Sequence, residues 1–311
     1  MPQQLFVFIQ LEFAWALGPT DGRYLLRRDA DGDPERVVVL STLQAGRQPL
    51  GAPTAPRSRP SLLARVLRGQ ARSTPTGPEP APVPTARATV IDPISLSADN
   101  QARTWLAELD REHEVAAATA IVNRVIHSHR IAAADPYVHE VSPAQALVIR
   151  AGWGEGEQVA DGRWLHARAL TSADGWAASR SSSGPPRGRR RDRSWALRPQ
   201  ERLAALLAGR GTALLCEELV LRARQDLDRE RTAHAAFELD RAYALAVPEL
   251  RAESRQDLAI RIAELEQLRA GVQEQAQAAL ELTGRAADED ALTHALERLE
   301  AALRARTAAG L

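Results

Sequence analysis

Two segments rich in proline, glycine, serine and arginine divide the chain and limit how much of it can build a core. The first covers residues 44–86 and includes PTGPEPAPVPT, and the second covers residues 172–196 and includes SRSSSGPPRGRRRD. Such compositions bury too little apolar surface to offset the entropy of ordering the chain. We therefore expect a disordered insertion within one domain and a disordered linker between two domains.

Strand patterns precede the linker. The candidate strands are residues 5–13 (LFVFIQLEF), 23–28 (RYLLRR), 36–40 (RVVVL) and 88–96 (ATVIDPISL). They are rich in β-branched and aromatic residues, and Gly/Asp turns separate the first three, which predicts an antiparallel meander. Residues 97–134 show helical spacing, with Asp99 as a candidate N-cap and a stop before Asp135-Pro136. The pattern predicts an α+β domain formed by residues 1–43 and 87–171, an antiparallel sheet with helices packed on it.

Helical spacing dominates the rest of the chain. Apolar residues recur every three or four positions from residue 197 to residue 311, which predicts an all-α domain of antiparallel helical hairpins. The last predicted helix carries four leucines at 4-3-4 spacing: Leu292, Leu296, Leu299 and Leu303. This spacing is typical of a helix-packing or coiled-coil seam. We interpret the seam as an interaction surface for a protein partner or for a second copy of the chain.

The predicted hairpin at residues 212–247 resembles one tetratricopeptide repeat. The residues that match are Ala223, Ala235, Leu239 and Ala242. The sequence departs from the family at its leucine-glycine pair, which is Arg222-Ala223 here, and its proline falls one position late, at Pro248. The resemblance implies a helical protein-interaction domain.

The absence of lysine excludes several classes of enzyme. All 40 basic residues are arginine, and 40 acidic residues balance them. Without lysine the chain can form neither a Walker-A phosphate site nor a Schiff base with pyridoxal phosphate. The charge is mildly uneven, because residues 197–311 contain 16 arginines against 20 carboxylates. The overall balance gives no general attraction to nucleic acid or to an anionic membrane.

Cysteine usage and hydropathy bear on location. Cys216 is the single cysteine, so no intrachain disulfide can form, and its neighbours Glu217 and Glu218 favour a buried packing thiol over a nucleophile. The apolar N-terminus has no basic residue before Arg23, unlike a secretory signal, and no apolar run approaches the roughly 18 residues that span a bilayer. We expect a cytoplasmic protein without a membrane partner.

The glycine-rich stretch at residues 145–170 is the candidate pocket. Its glycines do not match the GxGxxG dinucleotide fingerprint, because Glu157 and Val159 occupy the third glycine position in the two possible alignments. We expect a turn-rich structural hairpin here, and the alternative is the pocket of a small-ligand binder or an enzyme. The candidate pocket residues are Trp153, Glu155, Glu157, Asp161, Arg163, Trp164 and His166.

Motifs for catalysis and metal binding are lacking. The sequence has neither GxSxG nor HExxH, and His127 and His129, two apart on a predicted helix, point to nearly opposite sides. We therefore predict no catalytic residues, no metal site and no cofactor. A basic run in the linker could hold phosphates without reading sequence, and its residues are Arg187, Arg189, Arg190, Arg191 and Arg193.

Taken as a whole, these patterns favour a non-catalytic protein-interaction or scaffold protein that acts through its C-terminal helical domain. A small-ligand binder or enzyme with a pocket at the glycine-rich stretch is the first alternative. Non-specific nucleic-acid binding through the arginine run is the second.

Overall fold

A computed structural model describes residues 4–43, 85–170, 198–281 and 287–309. Its strands are β1 (Leu5–Phe13), β2 (Gly22–Leu26), β3 (Arg36–Leu43), β4 (Thr85–Ile91), β5 (Val148–Glu155) and β6 (His166–Ala169). Its α-helices are α1 (Asp99–Glu108), α2 (Arg111–Ala133), α3 (Gly156–Ala160), α4 (Pro199–Leu207), α5 (Leu215–Leu227), α6 (Thr232–Ala252), α7 (Ala259–Leu280) and α8 (Glu289–Ala309). The predicted mixed α+β class is confirmed. The insertion (except its last two residues) and the linker predicted from composition lie outside the described residues.

All six described strands form one antiparallel sheet in the order β2-β3-β4-β1-β5-β6. The meander predicted for the first three strands is wrong, because β4 lies between β3 and β1. The reason is visible in the burial of the strands. Nearly every side chain of β1 is buried, so this strand takes a central position with neighbours on both sides, whereas β2 exposes alternate side chains and lies at an edge.

The two faces of β1 contribute to different cores. Leu5, Val7 and the following alternate residues enter the main core beneath the helices, while Phe8 belongs to a small second core on the opposite face. Farther along that second face, Glu12 accepts hydrogen bonds from Arg87 and from Arg150, at 3.2 and 2.7 Å. The sheet is therefore covered on both sides, by α1 and α2 on one face and by the α3–β6 segment on the other.

The helical segment at residues 97–134 is interrupted between α1 and α2. Asp110 adopts an extended backbone, and its carboxylate accepts the N–H of His113 at 3.1 Å, so it caps the start of α2. The cap predicted at Asp99 is not formed, because Ala98 takes the N-cap position and Asp99 lies in the first turn. The predicted end before Asp135-Pro136 is confirmed, with Ala134 in the left-handed conformation that closes α2.

The second half forms its own core around the antiparallel pair α5 and α6, with α7 and α8 packed against this pair. Pro248 lies inside α6 and neither begins nor ends a helix. Helix α4, just after the predicted linker, packs on α2 and β2, and its Leu203 and Leu207 belong to the core of the first half. Ile131 at the end of α2 belongs in turn to the core of the second half. The α2–α4 contact therefore joins the two cores.

Candidate functional site

Close backbone packing explains the glycines of the predicted pocket. Gly152 and Gly154 lie within strand β5, opposite Phe8 and Phe6 of β1. A Cβ atom on Gly152 would lie 2.2 Å from the carbonyl oxygen of His166, and one on Gly154 would lie 2.7 Å from Val159. The glycines thus let β6 and α3 pack closely against β5, which is the structural hairpin expected from the sequence.

We expect Gly152→Ala to destabilise the protein by about 1–3 kcal/mol, since the two atoms nearest to the added Cβ are backbone atoms that cannot rotate away. Urea denaturation would measure the change. Gly22→Ala is the matched control, because a Cβ at that strand position meets nothing within 4 Å. Equal stabilities for the two variants would contradict the close packing.

Trp153 faces the helices and is enclosed. Its side chain is 2% exposed, its indole N–H donates to Asp99 at 2.9 Å, and its ring stacks on His166 with the centroids 4.6 Å apart. The hydrogen bond from Arg103 is the main cause that lowers the pKa of Asp99, and the bond from Trp153 adds to it. Trp153 therefore fixes α1 to the sheet.

Trp164 lies on the opposite face of the sheet, against Phe8 at 5.5 Å and beneath the guanidinium of Arg87 at 5.7 Å. Asp161 is exposed in the preceding turn and pairs with Arg23 of β2 at 3.3 Å. Because the two tryptophans belong to different cores, the predicted set does not converge on one pocket. Of the rest, Glu155 is half-buried, Arg163 and His166 are exposed, and the side chain of Glu157 lies outside the described residues.

The predicted interaction seam is an internal core. Leu292, Leu296, Leu299 and Leu303 are all 0% exposed and lie in the core of the helical half. They cannot serve as a surface for a partner, so this prediction is corrected. The periodicity was that of a buried helix face, which has the same spacing as an oligomer seam. The arginine run predicted to bind nucleic acid, Arg187 to Arg193, lies outside the described residues.

Cys216 is buried, as predicted. Burial is the main cause that raises the pKa of its thiol, and a hydrogen bond to Glu249 of α6 is the next. The same carboxylate accepts the backbone N–H groups of Leu215 and Cys216, at 2.8 and 3.1 Å. Glu249 therefore caps the start of α5, and the thiol stays protonated at neutral pH.

A cleft of about 390 Å³, which no sequence pattern predicted, lies where the ends of α4, α6 and α8 meet the segment before α5. Four arginines line it: Arg202, Arg210, Arg255 and Arg306. We call it the arginine cleft. Ala205, Gly211 and Thr212 form much of its remaining wall, and Glu253 is the carboxylate among its lining residues.

Internal partners hold three of these arginines in place. Arg202 pairs with the buried Glu217 at 2.5 Å, Arg306 bonds to Glu253, and Arg255 pairs with Asp257 at 2.5 Å. The bond to Asp257 is the main cause that raises the pKa of Arg255. Arg210 is exposed, and its guanidinium bonds to no other side chain of the described residues. One cation in the cleft is therefore available to a ligand.

A second cleft of about 310 Å³ lies between α2, the segment after it, and α5. We call it the junction cleft. His127, Arg130, Val138, His139, Glu140, Glu218 and Arg222 line it together with Ile126. His127 is exposed while His129 is buried, so the two histidines point apart as expected on a helix. Among the described residues no group of three or more histidine, cysteine, aspartate or glutamate side chains could hold a metal ion.

No protein family, curated protein or solved structure matches this chain. The tetratricopeptide resemblance of the α5–α6 pair therefore has no support beyond its own residues. No helix within the described ranges is long and apolar enough to cross a membrane.

Proposed function

We propose that this protein is a non-catalytic binding protein whose helical half docks an acidic segment of a protein partner in the arginine cleft. The observation that supports this proposal is the convergence of four arginines from three separate parts of the sequence on one cleft. This convergence runs against the local composition, since residues 197–311 carry more carboxylates than arginines. A local cationic site in an acidic surrounding favours a localised anionic ligand over a long polyanion.

The chemistry of the cleft suits carboxylates. Guanidinium groups bind carboxylates through paired hydrogen bonds, and arginine retains its charge at any physiological pH. Arg202, Arg255 and Arg306 are held by internal carboxylates, so they surround the available cation, Arg210, in fixed positions and lose little side-chain entropy when a ligand binds. Arg210 at the rim would supply the first contact, and the small residues Ala205 and Gly211 leave room for a peptide chain.

Fluorescence anisotropy with a labelled oligoglutamate peptide tests the proposal. We expect saturable binding that weakens at higher salt, and a loss of at least about fivefold for Arg210→Ser and for Arg255→Ser. Arg269→Ser is the matched control, because Arg269 is an exposed arginine of α7 outside the cleft.

The arginine run of residues 187–193 could attract the same peptide without any cleft. A variant with all five of its arginines changed to serine separates the two sources. The proposal requires that this variant retain binding and its sensitivity to Arg210→Ser. The proposal is overturned if binding is lost when the run is changed, or if Arg210→Ser and Arg255→Ser leave binding unchanged.

A further inference from the structure

The segment that follows α2 fastens the first half of the protein to the C-terminal end of α5. We call residues 135–140 the clasp. The hydroxyl of Tyr137 donates a hydrogen bond to the carboxylate of Asp228 at 2.5 Å. The side-chain amide of Gln225 donates another to the backbone carbonyl of Pro136 at 2.9 Å. These two bonds join a segment of the first half to a helix of the second.

His139 of the clasp lies against the same amide. Its Nε2 atom is 3.4 Å from the Gln225 nitrogen that donates to Pro136. An amide nitrogen carries two N–H groups and no acceptor, so His139 Nε2 must accept the second N–H, which requires a ring without a proton on that atom. Turning the amide over would place its oxygen against the carbonyl oxygen of Pro136. Gln225 therefore cannot bond to a doubly protonated ring and keep its bond to the clasp backbone.

Charged groups surround His139 on every side of the clasp. The cations nearest to it are Arg130 of α2 and Arg229 just after α5, and the nearest carboxylates are Asp135 and Glu218. The other titratable side chains that line the junction cleft with it are His127, Glu140 and Arg222. Burial is the main cause that lowers the pKa of His139, and the charge of Arg130 is the next. The ring is therefore neutral at pH 7, which is the form that the amide can bond.

We propose that the clasp is a pH-sensitive joint between the two halves, closed while His139 is neutral and opened when the ring is protonated. Protonation adds a cation beside Arg130 and Arg229 and sets two donors, the ring N–H and the Gln225 amide, against each other. The closed joint binds this proton more weakly than an opened, hydrated ring does. The stability of the joint is therefore fully present above the ordinary histidine pKa of 6.5 and falls as the pH drops below it. The clasp is separate from the arginine cleft, so either proposal can fail without the other.

Hydrogen exchange measured by mass spectrometry on the full chain tests this proposal. Peptides that cover the clasp and the end of α5 are compared with peptides of β1 and β4, after correction for the intrinsic pH dependence of exchange. At about pH 5.5, roughly one unit below the ordinary histidine pKa, a ring that is protonated only in the open state favours opening by up to about tenfold. We therefore expect protection of the clasp, relative to the sheet, to fall by about three- to tenfold between about pH 7.5 and about pH 5.5.

Two variants and a control assign the effect to His139, with circular dichroism to confirm that each is folded. His139→Gln cannot gain a charge and should lose no protection in acid. His127→Gln is the matched control, because His127 is an exposed histidine of the same cleft and its change should leave the wild-type behaviour. Gln225→Glu places a carboxylate beside the ring, which favours the protonated form, so it should abolish or reverse the loss. The proposal is overturned if the wild type loses no protection in acid, or if His139→Gln or Gln225→Glu loses as much as the wild type.

Discussion

Leu299→Asp is expected to unfold the helical half of the protein. Leu299 is 0% exposed in the core formed by α5, α6, α7 and α8. Truncation of a buried leucine to alanine alone costs about 2–5 kcal/mol, and an unpaired carboxylate in the same place adds several more. Since folded domains are stable by only about 5–15 kcal/mol, this one change removes most or all of that margin.

Circular dichroism during heating and size-exclusion chromatography measure the outcome. The variant should lose helical signal and elute as an expanded or aggregated species. Ile260→Asp is the control, because Ile260 is 84% exposed in the first turn of α7, where an acidic residue is tolerated. If Leu299→Asp keeps the wild-type melting curve and only changes the mass in solution, the leucines form an oligomer seam and the intramolecular core is wrong.

Arg202→Met is expected to lower the free energy of unfolding by about 3–5 kcal/mol, because it leaves the carboxylate of Glu217 buried with its main partner removed. Arg202 and Glu217 are 8% and 2% exposed in their side chains. Arg202 also donates to the backbone carbonyl of Ile131 at the end of α2, so the same change removes a bond between the two halves. The remaining cation near Glu217, Arg306, is 3.9 Å away and already bonded to Glu253.

A double variant separates the cost of the charge from the cost of the lost packing. Glu217→Gln keeps an acceptor for the backbone N–H of Leu214, which Glu217 bonds at 2.9 Å. Arg202→Met combined with Glu217→Gln should therefore be more stable than Arg202→Met alone. Urea denaturation of the wild type, the two single variants and the double variant gives the coupling free energy of the pair. If Arg202→Met alone lowers the free energy of unfolding by less than about 1 kcal/mol, the pair contributes no more than an exposed salt bridge does. That result would contradict its burial.

Strands and helices were predicted well where the local pattern of residues is sufficient to specify them. β1 has the predicted bounds. Its large apolar residues alternate along the chain, and an extended strand is the structure that places such residues on one buried face. The pairing order could not be predicted in the same way. Whether β2 or β4 lies beside β1 depends on contacts between residues far apart in the chain.

The glycine-rich stretch shows the same limit on a smaller scale. Its glycines indicated a close backbone approach, which is what Gly152 and Gly154 provide. Nothing in the spacing placed Trp153 on one face of the sheet and Trp164 on the other, because the short helix α3 between them redirects the chain. The prediction that Trp153 and Trp164 line one shared pocket was therefore wrong.

Charge clusters were the features least accessible to sequence reasoning. For Cys216 the neighbouring glutamates correctly predicted that the pKa of the thiol is raised. The carboxylate that bonds to the thiol, however, is Glu249 on another helix. The arginine cleft draws its cations from positions 202, 210, 255 and 306, which lie in three separate segments of the chain. Only the packing of α4, α6 and α8 brings them together.

Photo-cross-linking is the most direct measurement of the proposed docking site. An oligoglutamate peptide carrying a benzophenone group would be irradiated with the protein, and the linked residues would be identified by mass spectrometry. We predict links in two regions, at residues 202–212 and around Glu253, Arg255 and Arg306, and their loss in the Arg210→Ser and Arg255→Ser double variant. Links confined to residues 187–193 or to the exposed face of α7 would contradict the account.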